Sequence, residues 1–163
     1  MDYADDLART VTLSRARLRA ISEESAEFRP KPDAWSAKEI IGHLIDSAST
    51  NHQRFVRAIW QDDLIFPGYE QNAWVTAQGY QDADWFELID LWALFNRHIA
   101  AVMERIPEQV RLRVHTQHNL HERAWQTIPA DQPATLDYFM RDYVGHLHHH
   151  LRQLDAIFSP PSA

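Results

Sequence analysis

Apolar residues along this chain recur mainly at spacings of three and four, the signature of amphipathic helices rather than strands. From about Asp5 to Ile21 the stripe is Leu7, Val11, Leu18 and Ile21. The stretch Glu23 to Asp33 reads as a break, because Pro30 and Pro32 stop a helix. A second helix then starts clearly. Ser36 and Glu39 form a capping-box pattern, followed by Ile40, Ile41, Leu44, Ala48, Phe55 and Ile59. Trp35, just before the cap, is placed to pack back on Ile40. The third helix carries Trp85, Leu88, Trp92, Phe95, Ile99, Val102 and Ile106, a bundle seam ended by Pro107. The fourth begins near Thr135 and presents Leu136, Met140, Tyr143 or Val144, Leu147, Leu151, Leu154 and Phe158 before Pro160-Pro161.

Four such helices predict an all-α fold, an antiparallel four-helix bundle with two long connections. Those connections run from Gln61 to Ala83, rich in aromatic residues, and from Glu108 to Ala134, which holds His115, His118, His121 and Trp125. Both exceed ordinary loop length, and long ordered loops tend to carry functional surfaces. The 163 residues suit one domain over 1–163, long enough to bury a proper core. A formal charge of −7, with acidic and basic residues interspersed, argues against nucleic acid or an anionic membrane as partner. Without cysteine, disulfides, thiolate metal ligands and cysteine nucleophiles are excluded. The acidic start, Met1-Asp2-Tyr3-Ala4-Asp5-Asp6, lacks a secretory signal pattern, and no stretch is apolar enough to span a bilayer. The expected location is the cytoplasm.

Composition draws attention to histidine, present ten times. His146 and His150 are one helical turn apart, about 6 Å of rise, so their imidazoles project from nearly the same face. His43 stands beside Leu44 and Ile40 on the second helix, at the edge of its apolar stripe, as His146 and His150 do on the fourth. Two histidines on one helix and a third on a neighbour can form one face of a metal coordination sphere. The competing reading is a solvated histidine-rich surface in which the spacing is incidental. His148 is rotated away from His146, whereas His149 is a reserve ligand or a partner of one. Surface or loop hydrogen bonding is the expected use of His52, His98, His115, His118 and His121.

Gly42 and Gly145 each precede one of these histidines inside a helix, where glycine costs up to about 1 kcal/mol relative to alanine. One reading is that they let the second and fourth helices approach closely. The other is that each accommodates an unrelated bulky neighbour, such as one of the six tryptophans. Neutral imidazole suits Zn²⁺, Ni²⁺, Cu²⁺ or Fe²⁺, and three protein ligands leave positions open for water or substrate. Asp46, Ser47, Asn51, Asp142 and Gln153 are candidates to support such a site; solvation serves Asp46 and Asp142 equally well, and a structural hydrogen bond Asn51.

At these residues the chain resembles the DinB/YfiT-like superfamily of metal-binding four-helix proteins. The resemblance rests on Trp35-Ser36-x-x-Glu39-Ile40-x-Gly42-His43-Leu44 and on Tyr143-Val144-Gly145-His146-x-x-His149-His150-x-x-Gln153-Leu154. The intervening Tyr69-Glu70-Gln71-Asn72-Ala73-Trp74 also looks like that family's aromatic connection, and the blocks together span roughly Asp5 to Phe158. What the resemblance implies is a divalent metal, zinc or nickel, at positions matching His43, His146 and His150, and a homodimer. It further implies a metal-dependent enzyme that activates a thiol or water against a small electrophilic substrate. A low-molecular-weight thiol is then the implied partner, and a transferase or hydrolase the implied class. The alternative is a stress-associated protein that binds the metal without turnover.

Overall fold

The computed structural model describes residues 1–158, so the expected stop at Pro160-Pro161 lies outside the described residues. The elements in chain order are α1 (Asp2–Leu18), α2 (Glu23–Glu27), α3 (Ala37–Ala58), α4 (Gln71–Gln78), a 3₁₀ turn (Tyr80–Asp82), α5 (Trp85–Arg105), α6 (Glu108–Arg111), β1 (Val114–His115), α7 (Leu120–Arg123), β2 (Ala134–Thr135) and α8 (Leu136–Phe158). The long helices α1, α3, α5 and α8 form the four-helix bundle that the periodicity predicts. No helix among the described residues is long and apolar enough to cross a membrane.

Side-chain pairs fix how the four helices run. Trp85, opening α5, donates from its indole to Leu18 O at the end of α1, so these two helices are antiparallel. His43 meets His150 while Phe55 meets Phe139, so α3 and α8 are antiparallel as well. By contrast, Tyr3 reaches Asp137 and Arg17 reaches Asp155, which makes α1 and α8 parallel. Ser36 binds Gln81 just ahead of α5, and His52 stacks near His98, so α3 and α5 run the same way. Two parallel helices joined in sequence need a connection that returns the length of the bundle. That is why residues 59–84 are long, and why α4 and the 3₁₀ turn lie along α3.

Local chemistry sets the boundaries. The Ser36–Glu39 capping box forms, with Glu39 N donating to Ser36 Oγ at 3.2 Å and Ser36 N to Glu39 Oε2 at 2.9 Å. The region expected to be a plain break contains a short helix, because Ser22 caps α2 through Ser25 N. Lys38 then ties α2 to α3: its buried ammonium meets both Glu23 and Glu27. The α5 stripe is rotated slightly from the expected one. Ala93, Asn96, Ala100 and Met103 are buried, while Phe95 and Val102 are only half-buried. Asn96 is tolerated in the core because its amide donates to Trp92 O and its oxygen accepts from the Tyr143 hydroxyl.

The two long connections are stitched to each other. Leu64 of the first bridges to His118 of the second, and within the second β1 pairs antiparallel with β2. The Asn119 side chain both accepts from Phe66 N and donates to Phe66 O, mimicking a strand partner. His115 bonds Asp62 O and His118 bonds Gln132 O, so both fill the loop role expected of them.

Candidate metal centre

Every residue from Ala37 to Ala48 is buried, because α4 and the 3₁₀ turn cover the face of α3 that the bundle leaves open. His43 is therefore fully enclosed, at 0% exposure, while pointing across to α8. His146 and His150, one turn apart on α8, face it. The three Nε2 atoms converge: His150 to His146 is 3.0 Å and His43 to His146 is 3.5 Å. With metal–nitrogen bonds of about 2.0–2.1 Å, two imidazole nitrogens lie about 2.9 Å apart at a right angle and about 3.4 Å apart at a tetrahedral angle. These two separations match that range, and the ligand atoms of all three residues lie within 4.8 Å of one another. His43, His146 and His150 are thus a group that could hold a metal ion.

The surroundings favour ligand-ready imidazoles. Burial, reinforced by the neighbouring His150, pushes His43 down to about 3; burial, with His150, His43 and His149 adding to it, does the same to His146. Burial also lowers His150, although its bond to Gln153 opposes the shift. Neutral rings keep the lone pair that a cation needs. The Gln153 amide oxygen accepts from His150 Nδ1 at 2.7 Å, which puts the proton there and frees Nε2. Trp35 lies over His43 with ring centroids 5.0 Å apart, so the tryptophan before the cap walls the centre. His43 Nδ1 has no partner at all.

The remaining histidines separate as expected. His148 turns away and bonds Asp6 at 2.7 Å. His149 flanks His150 and faces the Gln153 amide nitrogen at 3.2 Å, next to the three and outside the converging set. The two glycines differ from the close-approach reading. A Cβ on Gly42 would stand 2.1 Å from the Tyr80 ring, and one on Gly145 would stand 3.2 Å from Trp125. Each makes room for an aromatic residue of a long connection, not for the opposing histidine helix.

Those aromatics are anchored by carboxylates. Asp46 is buried and accepts from the Tyr80 hydroxyl at 2.7 Å and from the Gln78 amide. Asp142 is buried too, accepting from Trp125 N at 2.8 Å and Gln126 N at 2.7 Å. Neither is solvated, and neither touches the three imidazoles. Asn51 serves structure, donating to Ser47 O at 2.9 Å. Tyr80 and Trp125 were not marked by any helical period; only the glycines opposite them hint at their position. A cavity of about 180 Å³ opens beside His146, bounded on other sides by Ser47, Tyr69 and Trp125.

The model of the DinB superfamily matches residues 6–154, and the chain belongs to that superfamily. No curated protein sequence matches it. Among solved structures, YfiT from Bacillus subtilis, described as a probable metal-dependent hydrolase with an unusual four-helix bundle topology, superposes with a TM-score of 0.72. The match is 17% identical and covers 94% of this chain and 85% of that one. At that identity the likeness establishes the shared fold.

Proposed function

We propose that this DinB-superfamily chain is a divalent-metal-dependent enzyme acting on a small electrophilic substrate, with His43, His146 and His150 holding zinc or nickel. The observation that carries the proposal is that His146 Nε2 lies 3.0 Å from that of His150 and 3.5 Å from that of His43, with the ligand atoms of all three within 4.8 Å of one another. When bound, such an ion lowers the pKa of a coordinated thiol or water, supplying a nucleophile at neutral pH. The chain's own part is positional. Gln153 fixes the ring orientation of His150, Trp35 shields His43 from bulk water, and Trp125 and Tyr69 wall the adjacent cavity. The solved relative's description as a probable metal-dependent hydrolase supports the class. The cavity beside His146 favours catalysis over simple metal storage, since a storage site needs no open flank.

Elemental analysis of protein purified without a histidine tag tests the metal directly. About one zinc or nickel per chain is expected, falling to background in His43→Ala. Full retention in that variant would sink the three-ligand assignment. Transfer assays with small thiols and halogenated or epoxide acceptors then separate an enzyme from a binding protein: metal-dependent turnover supports the first, and its absence from metal-replete protein across both acceptor classes supports the second.

A further inference from the structure

The cavity beside His146 holds two guanidiniums, and one of them, that of Arg54, has no acidic partner. Arg54, on α3, is only 5% exposed, yet no carboxylate lies within ion-pair distance of it among the described residues. Its guanidinium donates to two neutral acceptors, Pro67 O at 2.8 Å and Asn51 Oδ1 at 3.3 Å, and its Nε has no partner. Arg123, on α7, borders the same cavity, and its Nε is likewise buried without a partner. Its guanidinium lies against Gly68, where a Cβ would stand 2.2 Å from Nη1, so the chain leaves that space open for it. Burial is the main force pulling Arg54 down to about 10, with Arg123 adding to it against the opposing influence of Tyr69.

Neither of the acidic groups nearby pairs with Arg54. Glu122 is half-exposed and bound to Arg123 at 2.9 Å, with His121 at 3.6 Å on its other oxygen. Asp46 accepts from Tyr80 and Gln78 on Oδ1 alone, and its buried Oδ2, though without a hydrogen-bond partner, makes no ion pair with either arginine. An isolated buried guanidinium is costly unless an anion pairs with it. Two guanidiniums present planar donor forks, which fit the two oxygens of a carboxylate. At about 180 Å³ the cavity is smaller than a typical whole-ligand site, so it suits one end of a molecule.

We propose that this cavity is an anion subsite in which Arg54 and Arg123 take the carboxylate of a small organic acid whose reacting atom meets the three-histidine centre. Its second half rests on the metal-enzyme reading given above; the anion site itself does not. The substrate class is accordingly a carboxylate-bearing thiol or electrophile.

Two measurements test the proposal separately from that reading. Metal-free protein is titrated with succinate, and the Trp125 indole resonance is followed by nuclear magnetic resonance. Saturable perturbation is expected, lost in Arg123→Gln with the fold intact by circular dichroism; no saturation in the parent protein overturns the subsite. Inorganic phosphate binding more tightly than succinate overturns the carboxylate assignment. Cobalt-loaded protein is then titrated with mercaptoacetate, 3-mercaptopropionate, 4-mercaptobutyrate and uncharged 2-mercaptoethanol, reading the thiolate-to-metal absorption band. At least one acid is expected to bind about tenfold or more tighter than 2-mercaptoethanol. That advantage should vanish in Arg54→Gln and Arg123→Gln while 2-mercaptoethanol affinity holds; equal affinities in the parent protein overturn the link to the centre. Absence of the band with every thiol overturns the thiol branch of that reading and, with it, the carboxylate-bearing thiol as substrate, whereas the succinate titration still decides the anion site.

Discussion

The α1–α5 contact and the α3–α8 contact are built on the same helical repeat but place their polar groups oppositely. Along α1 and α5 the interior is Leu7, Val11, Leu88, Ile89 and Trp92, and charge appears only at the rim, where Arg15 and Arg19 meet Asp90. Along α3 and α8 the interior contains three imidazoles, with Asp46 and Asp142 buried close by. The first contact needs no help from the connections. The second is covered by both of them, through Tyr80 on Gly42 and Trp125 on Gly145. A bundle seals itself where it is apolar and borrows loops where it keeps chemistry, as Asp142 finds its donors in the backbone of Trp125 and Gln126.

The strongest way to break this contrast is to remove an imidazole. His43→Ala is expected to abolish stoichiometric metal binding and to erase the rise in melting temperature that zinc or nickel gives the parent protein, since a ligand that binds only the folded state stabilises by mass action. Calorimetry with and without added metal reads both. A metal-induced rise that persists in this variant would mean that the ion sits elsewhere.

Next comes the cover. Gly42→Ala puts a methyl group 2.1 Å from the Tyr80 ring, which is held by Asp46, so the overpacking should cost about 1–3 kcal/mol. Gly145→Ala meets Trp125 only at 3.2 Å, and the gain in helix propensity, up to about 1 kcal/mol, offsets the contact. Chemical denaturation of the two variants should therefore give clearly unequal losses; equal ones would show that the connections do not bear on α3 and α8 as described.

Gln153→Ala should act more gently, leaving the fold intact while lowering metal affinity about ten- to a hundredfold, the usual effect of losing a group that orients a ligating histidine. Competition with a chromophoric chelator measures it. An unchanged affinity would show that His150 is oriented by its packing alone.

How much of this was legible in the chain follows the same contrast. Apolar periodicity revealed all four long helices, and the Ser36–Glu39 box marked the start of α3 to the residue. The three histidines that converge could be singled out by their place beside apolar stripes and by family resemblance. What the pattern could not show was contact between segments distant in sequence. Nothing periodic places Tyr80 on Gly42 or Trp125 on Gly145, and Asp46 and Asp142 read equally well as solvated until the groups they accept from are in place. The parallel run of α3 and α5 was hidden too, although the length of residues 59–84 is its consequence.

The smallest effect belongs to the rim of the apolar contact. Asp90 accepts from Arg15 at 2.9 Å and Arg19 at 3.0 Å, and these neighbours, Arg15 first, hold its carboxyl below the usual range. All three side chains are at least 40% exposed, so water and salt screen the attraction and ordering the long arginines offsets it. Asp90→Ala should cost no more than about 1 kcal/mol, less at high ionic strength, and leave metal affinity untouched. A larger loss by denaturant titration, undiminished by salt, would mean that α1 is pinned by charge rather than by Leu7 and Val11. The two contacts would then differ less than their burial implies.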